Sequence, residues 1–116
     1  MKDIVLVFDV DGTLEVGNPP GPIPLKTLLY LKEKDFIVGI VGSWGKIPEG
    51  TLAKLDFHYP GHPEKPKWLS KVRERYSPTI VLYIADEERD RDACKRAGVT
   101  YVKPEDFRIC TMKYKK

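Results

Sequence analysis

Continuous apolar runs rich in β-branched residues recur along the chain: "IVLVF" (4–8), "FIVGIV" (36–41) and "TIVLYIA" (79–85). Runs of this length without alternation suit strands covered on both faces, as in a parallel sheet. Helical spacing fills the intervals. Leu25, Leu28, Leu29 and Leu31 fall toward one side of a segment reaching Lys34. Trp68, Leu69, Val72 and Tyr76 repeat at the period of a second helix, with Pro66 placed for its first turn. Ala93, Cys94 and Ala97 form a narrow stripe on a third helix from Glu87 to Ala97, and Gly98 is suited to stop it. Shorter strands are expected at Phe57–Tyr59 and Thr100–Val102. Strands alternating with helices predict right-handed crossovers and a three-layer α/β/α sandwich around a parallel, Rossmann-like sheet.

The length of 116 residues fits a single domain with one core. Apolar residues at 41% and charged residues at 32% are ordinary for a globular chain. The net charge of +3 is mild, and the closing "KYKK" supplies three positives. That tail reads as a solvated end, so a nucleic-acid partner is not expected. Two cysteines, Cys94 and Cys110, form no C-x-x-C pair and indicate neither a disulfide framework nor a zinc knuckle. With no apolar run of membrane length and no signal-peptide pattern, the expected location is the cytoplasm.

The stretch "VFDVDGTLEVG" (7–17) carries the chemistry. An apolar strand runs directly into Asp9 and Asp11, and unpaired buried carboxylates cost several kcal/mol. Asp-Gly is also a common turn pair, and the plainer reading, that the carboxylates cap or stabilise a turn, competes for Asp9 and Asp11. In open parallel sheets, however, ligands bind at the carboxyl ends of the strands. Asp9 and Asp11 follow the first strand, Ser43 the second, and Asp86 the "TIVLYIA" strand. Aspartates gathered there repel one another unless a cation joins them, and an all-oxygen set suits Mg²⁺ with a phosphate co-ligand. Ser43 also fits a helix N-cap, and Lys65 a solvated face. His58 and His62 are spaced i, i+4, but Pro60 and Gly61 lie between them, which favours a loop over a metal pair. Asp92 is expected to be solvated.

These residues carry a family resemblance. "DVDGT" (9–13) resembles the first motif of the haloacid dehalogenase superfamily of phosphotransferases, and "YIADEERDRDACKRAG" (83–98) resembles its fourth. "IVGS" (40–43) is similar to the second motif and "EKPKWL" (64–69) to the third. All four stand in the family's order.

The resemblance implies that Asp9 is the nucleophile taking the phosphoryl group and also a Mg²⁺ ligand. Asp11 would be the general acid/base, its backbone carbonyl a Mg²⁺ ligand. Ser43, Gly12 and Lys65 would bind the phosphoryl oxygens, with Lys65 also neutralising the nucleophile. Asp86 would ligate Mg²⁺ directly, with Asp90 acting through water or positioning Asp86.

Four departures from the family pattern leave alternatives open. Ala85 stands where glycine is usual. Glu87 competes with Asp90 for the metal shell, and Lys67 with Lys65 for the motif lysine. "SWG" (43–45) is atypical and puts Trp44 at the border of the site.

The intervals from Asp9 to Ser43 and from Ser43 to Lys65 leave no room for a cap domain. The expectation is a capless, Mg²⁺-dependent phosphatase acting on a phosphorylated substrate through an aspartyl-phosphate. The open site would admit a bulky substrate, or be covered by a second copy in a homo-oligomer, with loop 18–24 as a local lid. The alternative is a non-catalytic Mg²⁺/phosphate-binding module. A phosphorelay receiver is disfavoured because the strand "FIVGIVGS" ends in Gly-Ser, without an aspartate.

Overall fold

The computed structural model of the chain describes residues 3–77 and 80–107. Five parallel strands form one sheet: β1 (Ile4–Phe8), β2 (Ile37–Val41), β3 (Phe57–Tyr59), β4 (Ile80–Ile84) and β5 (Thr100–Val102). Their order is β3-β2-β1-β4-β5, so the strand that leads into the paired aspartates is central. The helices include α1 (Leu25–Glu33), the short α2 (Glu49–Leu52), α3 (Lys65–Tyr76) and α4 (Arg89–Ala97), and residues 104–107 after β5 are also helical.

Successive strand residues point to opposite faces, and this period of two sorts the core into two clusters. Val5, Val7, Val81 and Tyr83 pack with Leu69 and Val72 of α3 and with Ala93, Cys94 and Ala97 of α4. Leu6, Phe8, Val38 and Ile40 pack with Leu28 and Leu31 of α1. Both faces of the sheet are therefore covered, and the result is the expected three-layer sandwich.

Boundaries shift for local reasons. β2 begins at Ile37, because the Phe36 amide closes the preceding helix on Leu31 O at 3.2 Å. α1 ends at Glu33, ahead of Asp35, whose φ of 68° no helix accommodates. α4 begins at Arg89, two residues later than expected. Asp90 N and Arg91 N donate to Glu87 O and Glu88 O, forming the turn that leads into it. Thr79, expected in β4, lies outside the described residues, as does Cys110. Phe57–Tyr59 and Thr100–Val102 are strands with the expected bounds.

The proline-rich stretch 15–24 is a loop, as expected, and it is tied down at its base. Leu14 and Ile23 form a parallel bridge and are both buried. Glu15 accepts a 2.6 Å hydrogen bond from Leu25 N and donates its own amide to Ile23 O. Its tip, Asn18 to Pro20, is exposed.

Register places the site. Phe8 pairs with Ile40 on one side and Ile84 on the other, and Ile84 with Val102. The carboxyl ends of β1, β2 and β4 are therefore nearly flush, and the residues that follow them emerge at one edge.

Candidate functional site

Asp9 leaves β1 with its amide still on Ile84 O at 2.9 Å, so its backbone is fixed by the neighbouring strand. Its Oδ1 accepts from Val10 N at 2.8 Å. Gly42, at the end of β2, lies directly against that oxygen, and a Cβ there would collide with it. Asp9 is only 8% exposed. Burial pushes its carboxyl up to about 6, against the opposing pull of Lys65 and the Val10 amide.

Lys65 opens α3 and is buried; its ammonium lies 3.5 Å from Asp9 Oδ2 and 2.7 Å from Asp90 Oδ1. The face of Tyr83 sits beneath it, 5.3 Å from ring centroid to Nζ. Asp90 is itself 1% exposed, and its Oδ2 has no hydrogen-bond partner among the described residues. Lys67, by contrast, is exposed and pairs with Glu64 at 3.6 Å. The structure thus brings Lys65, and not Lys67, to the first aspartate.

Asp11 is half-exposed and held from three directions. Lys46 Nζ lies 2.6 Å and Asn18 N 2.8 Å from Oδ1, and Ser43 Oγ donates to Oδ2 at 3.3 Å. Partial burial works to raise its carboxyl, but the bonds from Lys46, Asn18 and Ser43 hold it below the usual carboxylate range. Ser43 occupies the N-cap position of a 3-10 turn, Trp44–Lys46, yet its hydroxyl makes no cap bond and turns to Asp11 instead.

Gly12 has φ 75° and presses on the Asp86 carboxylate, so both the turn and the close approach require the missing side chain. Its amide is spent on Pro19 O at 2.6 Å. Gly12 therefore shapes the turn under Asp86 and has no free N–H for a phosphate. Asp86 is exposed and makes no hydrogen bond or ion pair with the described residues. Asp90 is drawn inward to Lys65. Glu87 forms a forked pair with Arg89, 2.6 Å and 3.2 Å.

Between these groups lies a cleft of about 350 Å³. Asp9, Asp11, Ser43 and Lys65 line it, with Trp44 at its border as the sequence led us to expect. Lys46 reaches in to Asp11, and His62 and Arg89 complete the wall. The sequence reading missed all three. Lys46 and Arg89 stand among many lysines and arginines, and no spacing distinguishes them. His62 is the exposed loop residue expected, but only the fold turns it toward the cleft. Asp92 is exposed, as expected.

Among the described residues, no three His, Cys, Asp or Glu side chains converge as a metal cage. The donor set implied by the motifs is different: two carboxylates, Asp9 and Asp86, and one backbone carbonyl, at Asp11. Five carboxylates at this edge (Asp9, Asp11, Asp86, Glu87 and Asp90) face three cations, Lys46, Lys65 and Arg89. That imbalance and the unpaired Asp86 are compatible with a hard divalent cation. Neither a family model nor a curated relative matches this sequence.

Proposed function

We propose that the chain is a Mg²⁺-dependent phosphatase of the haloacid dehalogenase type, hydrolysing phosphate monoesters through an aspartyl-phosphate on Asp9. The observation that carries this reading is the single cleft lined by Asp9, Asp11, Ser43 and Lys65. Those residues come from the ends of β1 and β2 and the start of α3, in the order of the motifs they resemble.

The chain's own residues support each step. Asp9, fixed through its amide to β4 and through Oδ1 to Val10 N, is oriented before substrate arrives. Its carboxylate attacks phosphorus as the bond to the ester oxygen breaks. Asp11, two residues on, gives the departing oxygen a proton, then takes one from the water that cleaves the acyl-phosphate. Lys65, buried with Asp90 as counter-charge, stabilises negative charge on the transferring oxygens, and Ser43 Oγ offers a hydrogen bond. Mg²⁺, held by Asp9, Asp86 and the Asp11 carbonyl, would supply charge neutralisation to the phosphoryl oxygens. No helix of the described residues is long and apolar enough to cross a membrane, and a reducing cytoplasm suits the buried free thiol of Cys94.

One feature favours the alternative of a non-catalytic Mg²⁺/phosphate-binding module. The Lys46–Asp11 pair holds Asp11 ionised, whereas the acid step needs a proton there. Phosphate release from an aryl phosphate separates the two. Turnover that requires Mg²⁺ and is lost in Asp9→Asn supports the phosphatase. Mg²⁺ and phosphate binding by calorimetry without turnover supports the module, and a rate that survives Asp9→Asn removes the nucleophile assignment.

A further inference from the structure

Trp44 is one of two large apolar side chains left exposed among the described residues, at 37%. It stands immediately after Ser43, on the turn that follows β2, and forms part of the cleft wall. Its indole is not adrift: the His58 ring from β3 packs on it, 4.6 Å between centroids at 54°. Beside it Gly45 opens onto free space, with no atom within 4 Å of where a Cβ would stand. The remaining wall there is Pro60, Gly61 and His62, which carry no charged side chain able to pair with a second anionic group. Burial and the neighbouring Lys65 and Arg89 lower the proton affinity of His62, so it presents a neutral ring.

The cations of the cleft are already engaged, Lys46 by Asp11, Lys65 by Asp90 and Arg89 by Glu87. What is left for recognising the rest of a substrate is a propped indole face next to the phosphate end. At about 350 Å³ the cleft exceeds a phosphate group and falls at the small end of ligand pockets, roughly 300–1,000 Å³.

Resting on the phosphatase reading, we propose that Trp44 is the platform for the leaving group, and that the substrate is a small phosphate monoester carrying a planar ring that stacks on the indole. An aliphatic polyol phosphate would leave that face wet and gain nothing from it. Stacking on an aromatic side chain changes binding by about tenfold to a hundredfold.

Two measurements test this. In Asp9→Asn/Trp68→Phe, Trp44 is the only indole, and its fluorescence is followed as phenyl phosphate, adenosine monophosphate or glycerol phosphate is added. Quenching by a ring ester but not by glycerol phosphate is the expected result, and the ring ester that binds tighter identifies whether the ring is aryl or nucleobase. In parallel, Trp44→Ala should lower kcat/KM for the ring ester about tenfold to a hundredfold while leaving glycerol phosphate within about twofold. Comparing each ester with itself in the two proteins cancels differences in leaving-group reactivity. No quenching by either ring ester, or an equal effect of Trp44→Ala on all esters, overturns the proposal while leaving the phosphatase reading intact. Quenching of Asp9→Asn/Trp68→Phe by a ring ester, with no phosphate released from any of the three esters by the wild type, would remove the phosphatase reading and keep the ring subsite.

Discussion

Lys65 and Asp90 form an ion pair of 2.7 Å in which the lysine is 3% exposed and the aspartate 1%. One opens α3 and the other lies in the first turn of α4, so the pair joins two helices beneath the cleft and aims the ammonium at Asp9. Removing one partner from a buried pair leaves an uncompensated charge, whereas replacing both by apolar groups of similar size is far milder.

Asp90→Ala should therefore lose about 3–5 kcal/mol of unfolding free energy. The double variant Lys65→Met/Asp90→Leu should recover at least half of that loss. Urea unfolding of the three proteins decides it. A single variant within about 1 kcal/mol of wild type would show that the ammonium finds water or Asp9 at little cost.

Asp9 makes stability depend on pH in a direction opposite to that of a salt-bridged carboxylate. Its carboxyl sits at about 6 in the folded chain, against an ordinary 3.8. Between those values the folded state keeps a proton that the unfolded state has released. The Asp9 contribution to stability is thus greatest below about pH 4, falls as pH rises to about 6, and is level beyond; its whole drop is about 3 kcal/mol. Unfolding followed across this window in the presence of a chelator should show the drop in wild type and not in Asp9→Asn. An unchanged slope in the variant would assign the proton to another group.

Gly42→Ala places a methyl group against Asp9 Oδ1, with Val10 N the next atom at 3.2 Å. The backbone there is not strained, so the fold should survive while the carboxylate is pushed from its position. A misplacement of about 1 Å at a reacting group costs about a hundredfold in rate. Steady-state turnover of an aryl phosphate beside an unfolding curve checks both halves. A variant as active as wild type would mean that Asp9 has slack the packing does not show.

Lys46→Met breaks an ion pair at the surface, so it should change stability by less than about 1 kcal/mol. Its effect on turnover should be larger. Without the Lys46 bond the Asp11 carboxyl rises, and more of it carries the proton that the leaving oxygen needs. The descending limb of the pH profile of kcat should move to higher pH. A profile unmoved by the substitution would separate Asp11 from the acid step.

Much of the architecture was legible along the chain because its signals are local. "IVLVF" is β1 to the residue, and the weak segments Phe57–Tyr59 and Thr100–Val102 are strands as expected. A run buried on both faces must be apolar throughout, and that constraint can be read in any five-residue window. Helix ends were less exact. Glu87 and Glu88 have the polarity of a first helical turn but form a separate turn, and Asp35 ends α1 through its backbone conformation.

The site was legible as far as position at a strand end could carry it. Asp9, Asp11, Ser43 and Asp86 could be placed at one edge because parallel strands share a direction, whereas Lys65, at the start of a helix, was marked only by the motif it resembles. What each side chain meets was decided only in three dimensions. Lys46 reaches Asp11 across 35 residues of sequence and Lys65 reaches Asp90 across 25. Asp86 stays exposed over Gly12 while Asp90, four residues on, is drawn into the core. Hydrophobic periodicity reports which face of an element is buried, and it is blind to the partner of a charge. That choice is set by the distances and burial that appear when β2, α3 and α4 close around the end of β1, where a few ångströms decide which carboxylate is neutralised and which is left to face solvent.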